Sequence, residues 1–229
     1  GASTLFDLKG NALAWQLSSA PKYMLNEFGV EKFPEARLGD SLIYGFNRAK
    51  MSWYTIDPVF YSKSSSNPMD DGAIATANAD IYSRQFSEQE IFVNKQNATV
   101  SNPPIFTLDM HYDPEERGQY NYETEPTTFS KGVDPSGKLK NPETRWAGIM
   151  RTIESTTDFE AANIEFIQFW VLDPFKGQST SRKGNLNIQL GTISEDILKD
   201  SRKQYENGLP RPNSATTVDT SKWGVTPTI

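Results

Sequence analysis

Alternation of apolar and polar positions is the dominant pattern along the chain. In Ile105-Phe106-Thr107-Leu108-Asp109-Met110-His111-Tyr112, the side chains Phe106, Leu108, Met110 and Tyr112 share one face. Thr107, Asp109 and His111 share the other, which is the period-two signature of a half-buried strand. Asn185-Leu186-Asn187-Ile188-Gln189-Leu190 repeats the pattern more cleanly and predicts Leu186, Ile188 and Leu190 inward, with Asn187 and Gln189 outward. Between Ile164 and Val171 both faces are apolar: Ile164, Phe166 and Trp170 on one, Ile167, Phe169 and Val171 on the other. That arrangement predicts a central strand covered on both sides, with Trp170 buried. Further strands are predicted at Ala12–Leu17, Lys50–Ile56, Ile81–Phe86, Ile91–Val93 and Trp146–Ile153, punctuated by Pro, Gly, Asn and Asp.

Helical signals are few. The best runs from Ser194 to Asn207, with Ser194 as N-cap, Glu195 and Asp196 at the positive end and Gly208 closing it. A single turn is predicted at Thr157–Ala161. Two polar stretches, Ser62 to Ala79 and Tyr120 to Asn141, read as long loops of the kind that carry binding surfaces. The pattern as a whole predicts a mainly all-β chain: an antiparallel β-sandwich over residues 1–208, followed by a linker or C-terminal extension over 209–229 that opens on Leu209-Pro210-Arg211-Pro212.

Composition narrows the function classes. Aromatics make up 12% of the chain, enough large side chains to build a core at this length. Against 23 Lys and Arg stand 29 Asp and Glu, a net charge of −6 with no long run of either sign, so nucleic acid is not an expected partner. There is no cysteine, which removes disulfides, thiolate metal sites and cysteine nucleophiles. The longest apolar stretch, Phe166 to Leu172, is interrupted by Gln168 and is far short of a spanning helix of about 20 residues. Gly1-Ala2-Ser3 shows no charged region leading into an apolar one, so any export signal is expected outside these residues.

Candidate chemistry is sparse. Carboxylates crowd between Glu154 and Glu165, with Asp158 and Glu160 between, and a glycosidase would recruit two such groups across a cleft. The competing reading makes them turn caps and ion-pair partners of Arg145, Arg151 or Arg182. His111, the one histidine, stands beside Asp109 on a polar strand face, but no nucleophile elbow accompanies it. Asp57 and the pair Asp70-Asp71 before Gly72 are oxygen donors of the kind a structural Ca²⁺ takes, without the EF-hand pattern. In the polar loop, Tyr120 and Tyr122 are the aromatic side chains best placed to meet a partner or a glycan. Arg117, ahead of Gly118, is either a recognition residue on a turn or an internal partner of Glu115 or Glu165. Asn97-Ala98-Thr99 matches a glycosylation acceptor, read here as coincidence.

Several dense strings carry a resemblance: Asn47-Arg48-Ala49-Lys50, Trp53-Tyr54-Thr55-Ile56-Asp57-Pro58, Pro114-Glu115-Glu116-Arg117-Gly118 followed by Tyr120-Asn121, and Arg145-Trp146-Ala147-Gly148-Ile149-Met150-Arg151. Thr157-Asp158-Phe159-Glu160, Phe169-Trp170-Val171-Leu172-Asp173-Pro174-Phe175 and Glu206-Asn207-Gly208-Leu209-Pro210 extend it over almost the whole chain. In these strings the sequence resembles the SprA/Sov family of type 9 secretion translocons. The resemblance implies a soluble, non-catalytic insertion of a very large outer-membrane β-barrel that serves protein secretion and gliding motility in Bacteroidetes. It implies a place at the cell surface, with the periplasmic face as the alternative. Implied partners are secreted cargo, other secretion components and the rest of the barrel chain; no cofactor is implied. A Phe-Trp-Val strand followed by Asn-Leu-Asn-Ile-Gln-Leu is also similar to galactose-binding-like jelly rolls, which keeps a carbohydrate-binding module open as a second reading.

Overall fold

Trp146 gathers the best-packed part of the molecule. Its ring meets Phe33 edge-on at 6.1 Å between centroids and Tyr44 at 6.2 Å. Ala20 and Ala36 complete this buried cluster, with Phe33 and Leu38 packed against it. The computed structural model describes residues 7–39, 41–94, 103–153, 158–176, 183–191, 197, 218–221 and 224–227. The chain divides into two compact units: the first takes Gly1–Ala14, Trp53–Asp109 and Thr152–Asn185, the second Trp15–Ser52, Met110–Arg151 and Leu186–Ile229.

In the first unit, local side-chain caps set the elements. Asp57 accepts from the Val59 amide at 2.9 Å and Pro58 follows with its fixed φ, which starts a 3-10 helix at Pro58–Tyr61. Asp70 accepts from the Ala73 amide at 2.8 Å and opens α1 (Asp71–Ala79), whose one buried side chain is Ile74. Asn78 Nδ2 then ties α1 to the Tyr61 carbonyl at 3.1 Å. Strand β3 (Phe86–Ser87) pairs antiparallel with β4 (Pro104–Ile105). Ser87 leads into the four-residue α2 (Glu88–Ile91), where Glu90 reaches back to the Ser87 amide at 2.8 Å.

The second unit is held by short strands and bridges. Strand β1 (Gln16–Leu17) pairs antiparallel with β6 (Ile149–Met150), and β2 (Ala49–Tyr54) pairs with β5 (Asp109–Arg117). A parallel bridge joins Arg48 to Trp146, with the Trp146 amide on the Asn47 carbonyl at 3.1 Å and the Ala49 amide on the Trp146 carbonyl at 2.8 Å. Strands β7 (Val218–Ser221) and β8 (Gly224–Pro227) form an antiparallel hairpin. Gly118 donates to the Arg48 carbonyl at 3.1 Å, and a Cβ there would stand 2.2 Å from the Ala49 carbonyl oxygen, so the approach requires glycine.

The secondary structure is thus mostly non-helical, with short antiparallel strands, and several expected elements take other forms. Residues 164–171 are assigned no strand and are exposed along almost their whole length, Trp170 at 63% included, because no other strand among the described residues lies beside them. Residues 185–190 likewise form no strand and are exposed throughout. Asn187 accepts from Lys32 Nζ at 3.2 Å and Gln189 meets Met24 Sδ at 3.2 Å, while Leu186, Ile188 and Leu190 are exposed. The expected loop at 62–79 contains α1, since the Asp70 cap and four alanines outweigh its turn-like composition. Ile91–Val93 falls at the end of α2 and beyond it rather than in a strand, and of Ile81–Phe86 only Phe86 is in a strand. The helix expected at 194–207 lies outside the described residues, apart from the buried Ile197.

Candidate functional site

The densest polar arrangement is a buried knot in the second unit, and the sequence announces none of its pairings. Arg145 Nη1 donates to Glu123 Oε2 at 2.6 Å, with both side chains wholly buried. Burying a charge pair demands that the remaining donors and lone pairs be met. Arg145 achieves this by donating to the carbonyls of Phe46, Gly132 and Lys140, and Glu123 Oε1 accepts from the Gly132 amide at 2.6 Å. The loop from Tyr120 to Asn141 is thereby anchored from within: Asn121, Glu123, Ser130 and Leu139 are buried, while Tyr122, Thr124 and Glu125 between them stay exposed.

A second buried carboxylate organises the aromatic cluster. Glu35 Oε1 accepts from Trp146 Nε1 at 3.0 Å and from Asn47 Nδ2 at 3.0 Å. The Arg48 guanidinium lies 5.1 Å from the Trp146 ring centroid and 5.7 Å from that of Tyr44, in cation–π range, and its Nη1 donates to the Gln119 carbonyl at 3.0 Å. Asn121 Nδ2 donates to the carbonyls of Phe46 and Arg48 at 2.8 and 2.7 Å, fastening the turn after Gly118 to the strand entry.

The sequence candidates are dispersed. Asp57 and Asp70 are helix caps, and Asp71 pairs with Lys63 at 2.8 Å on the surface. Among the described residues no group of three or more His, Asp or Glu is placed to hold a metal ion. Arg117 donates to the Glu123 carbonyl at 3.2 Å and not to Glu115, which pairs instead with Lys138 at 2.8 Å because Lys138 crosses to it from the loop. Tyr120 is half-buried with a left-handed φ of 60°, whereas Tyr122 is 55% exposed. Of the carboxylates between 154 and 165, Asp158 caps the Ala161 amide at 2.9 Å; Glu154 lies outside the described residues, as do Arg182 and Asn97. Arg145, expected as a partner for these, is committed to Glu123. His111 is exposed, and Asp109 accepts from Thr107 Oγ1.

Two further features were not visible from sequence. In the first unit, Glu88, Ile91, Phe92, Val93, Asn94 and Trp170 line an open hollow of about 550 Å³, with Phe92 and Trp170 edge-to-face at 6.0 Å. In the second, the Tyr112 hydroxyl donates to the Arg145 carbonyl at 2.9 Å; burial of that end pushes the phenol up to about 12, against the pull of the nearby Arg145 charge. No helix among the described residues is long and apolar enough to cross a membrane. No protein-family model matches the chain, and no curated protein sequence matches it.

Proposed function

We propose that the chain is a non-catalytic β-rich module, of jelly-roll-like sandwich ancestry, belonging to an outer-membrane protein translocon of the SprA/Sov kind. Its task in this reading is to shape the path of secreted proteins at the cell surface and so to support secretion and gliding motility. One observation carries the reading. The strings behind the resemblance are far apart in sequence, yet Asn47 and Arg48, Gly118 and Asn121, and Arg145 and Trp146 meet in one buried network. Residues so placed fix a scaffold; a reaction centre would turn them toward a cleft.

The test is photocrosslinking in intact cells, with photoreactive residues at the exposed positions Tyr122 and Asp71 of the full-length protein. Capture of secreted cargo or of outer-membrane secretion components is the expected result. Capture of glycan alone overturns it in favour of a carbohydrate-binding module, a reading supported by the exposed ring of Tyr122 in a polar loop. That alternative requires glycan binding that is lost in Tyr122→Ala.

A further inference from the structure

Residues 165–172 combine an apolar pattern on both faces with exposure to solvent. Their apolar positions fall on both faces of a period-two pattern, which in a folded sheet requires neighbours on each side. No strand is paired with them among the described residues. Phe166, Phe169 and Trp170 are 83%, 52% and 63% exposed. At roughly 150–250 Å² per ring, these three leave on the order of 400 Å² of apolar surface in water, as much as the largest patch of an ordinary monomer. Beside them, Trp170 forms one wall of the 550 Å³ hollow whose other apolar walls are Ile91, Phe92 and Val93.

We propose that residues 165–172, with the hollow beside Trp170, form a docking edge for an extended apolar peptide flanked by lysine or arginine. Main-chain groups along the edge supply hydrogen bonds to the added strand, and the hollow takes one of its alternate side chains, the division of labour usual in strand addition.

The basic flanks follow from charge. Glu165 and Asp173 bracket the apolar run. A second copy of this chain is a poorer occupant. The antiparallel register that sets Phe166 opposite Leu172 and Ile167 opposite Val171 also sets Glu165 opposite Asp173, and like charges directly across a strand pair are destabilising. The apolar footprint is also peptide-sized, on the order of 600 Å² with the aliphatic side chains included, against about 800 Å² per partner for a stable interface. This inference stands apart from the translocon reading, which the crosslinking experiment tests by itself.

The experiment is fluorescence anisotropy with the 229-residue chain and three labelled peptides that alternate valine and threonine. One is flanked by lysines, one by glutamates, and one is lysine-flanked with N-methyl groups on alternate residues. The lysine-flanked peptide is expected to bind at least 10-fold more tightly than either of the others. Trp170→Ala should weaken it at least 10-fold, and Glu165→Lys should narrow or reverse the preference over the glutamate peptide. Trp170 lies outside the Trp146 cluster, so near-UV circular dichroism of the variant should keep the signal of the folded second unit. Equal binding of the N-methylated peptide, binding indifferent to flanking charge, or no saturable binding overturns the proposal. So does a chain that sediments as a dimer dispersed by Trp170→Ala, since a second copy then covers the edge.

Discussion

Arg145 Nη1 and Glu123 Oε2 lie 2.6 Å apart with neither side chain reaching water. The geometry makes the pair a conditional asset, since each charge tolerates burial only while the other is present. Glu123→Gln keeps the shape but leaves the guanidinium uncompensated. The expected cost is about 3–5 kcal/mol of unfolding free energy, read as a shift of the urea midpoint at unchanged slope. The double variant Glu123→Leu, Arg145→Met should not return to the starting stability. Arg145 also satisfies the carbonyls of Gly132 and Lys140, which the hydrocarbon pair would leave bare.

Trp146 does two separable jobs, packing and donation. Trp146→Phe retains a ring against Phe33 and Tyr44 but removes the donor to Glu35 Oε1, which keeps only Asn47 Nδ2. A loss of about 1–3 kcal/mol is expected from the bond, whereas Trp146→Ala should cost about 3–5 kcal/mol through the cavity. A Trp146→Phe loss below about 0.5 kcal/mol in urea titrations would show that Glu35 contributes nothing through the indole, and equal losses for both variants would show that the phenyl ring restores none of the packing.

Gly118→Ala should destabilise by about 1–3 kcal/mol, because a backbone carbonyl and not a flexible side-chain end stands 2.2 Å from the new carbon. Gly39→Ala is the matched control: nothing lies within 4 Å of its Cβ position, and its midpoint should move by less than about 0.5 kcal/mol. Equal shifts would mean that the strand entry at Arg48–Ala49 yields easily.

What the sequence made legible is local. Alternation in Lys50–Ile56 located β2, where burial does alternate, and the segment ending at Tyr112 overlapped the start of β5, but there the facing failed: Phe106, Met110 and Tyr112, expected inward, are 61%, 47% and 42% exposed. The same alternation at 164–171 and 185–190 gave no strand, since sheet formation depends on a neighbour that no property of the segment supplies. Asp57-Pro58 and Asp70 before Gly72-Ala73 carried a capping signal that their carboxylates, weighed as calcium ligands, obscured. The knot itself was out of reach: Glu123 sits among threonines in a loop, and only the fold brings Arg145 to it across 22 positions.

Tyr112 offers a titration probe of the second unit. Burial of its hydroxyl end holds the phenol at about 12, above the ordinary value of 10.0. The folded state therefore keeps this proton over a range where the unfolded chain has lost it. Its contribution is complete below pH 10 and disappears as pH rises through about 12. Absorbance at the phenolate band should show a late-ionising component that Tyr112→Phe removes. A titration unchanged by that substitution would place the hydroxyl in water.

Glu90 is the acid-side counterpart in the first unit. The Arg84 guanidinium at 2.9 Å, and then the Ser87 amide, hold its carboxyl down at about 2, against an ordinary value of 4.5. A depressed carboxyl stabilises the fold at pH above 4.5, and the benefit is lost as pH falls through about 2. Because the pair is exposed, salt should erode the Arg84 share while leaving the short-range bond to the Ser87 amide. Side-chain carboxyl NMR should therefore find Glu90 titrating near 2 at low salt. Arg84→Gln should move it upward while leaving it below 4.5, since the amide cap persists. A return all the way to 4.5 in that variant would show that the cap forms only when the ion pair orders it.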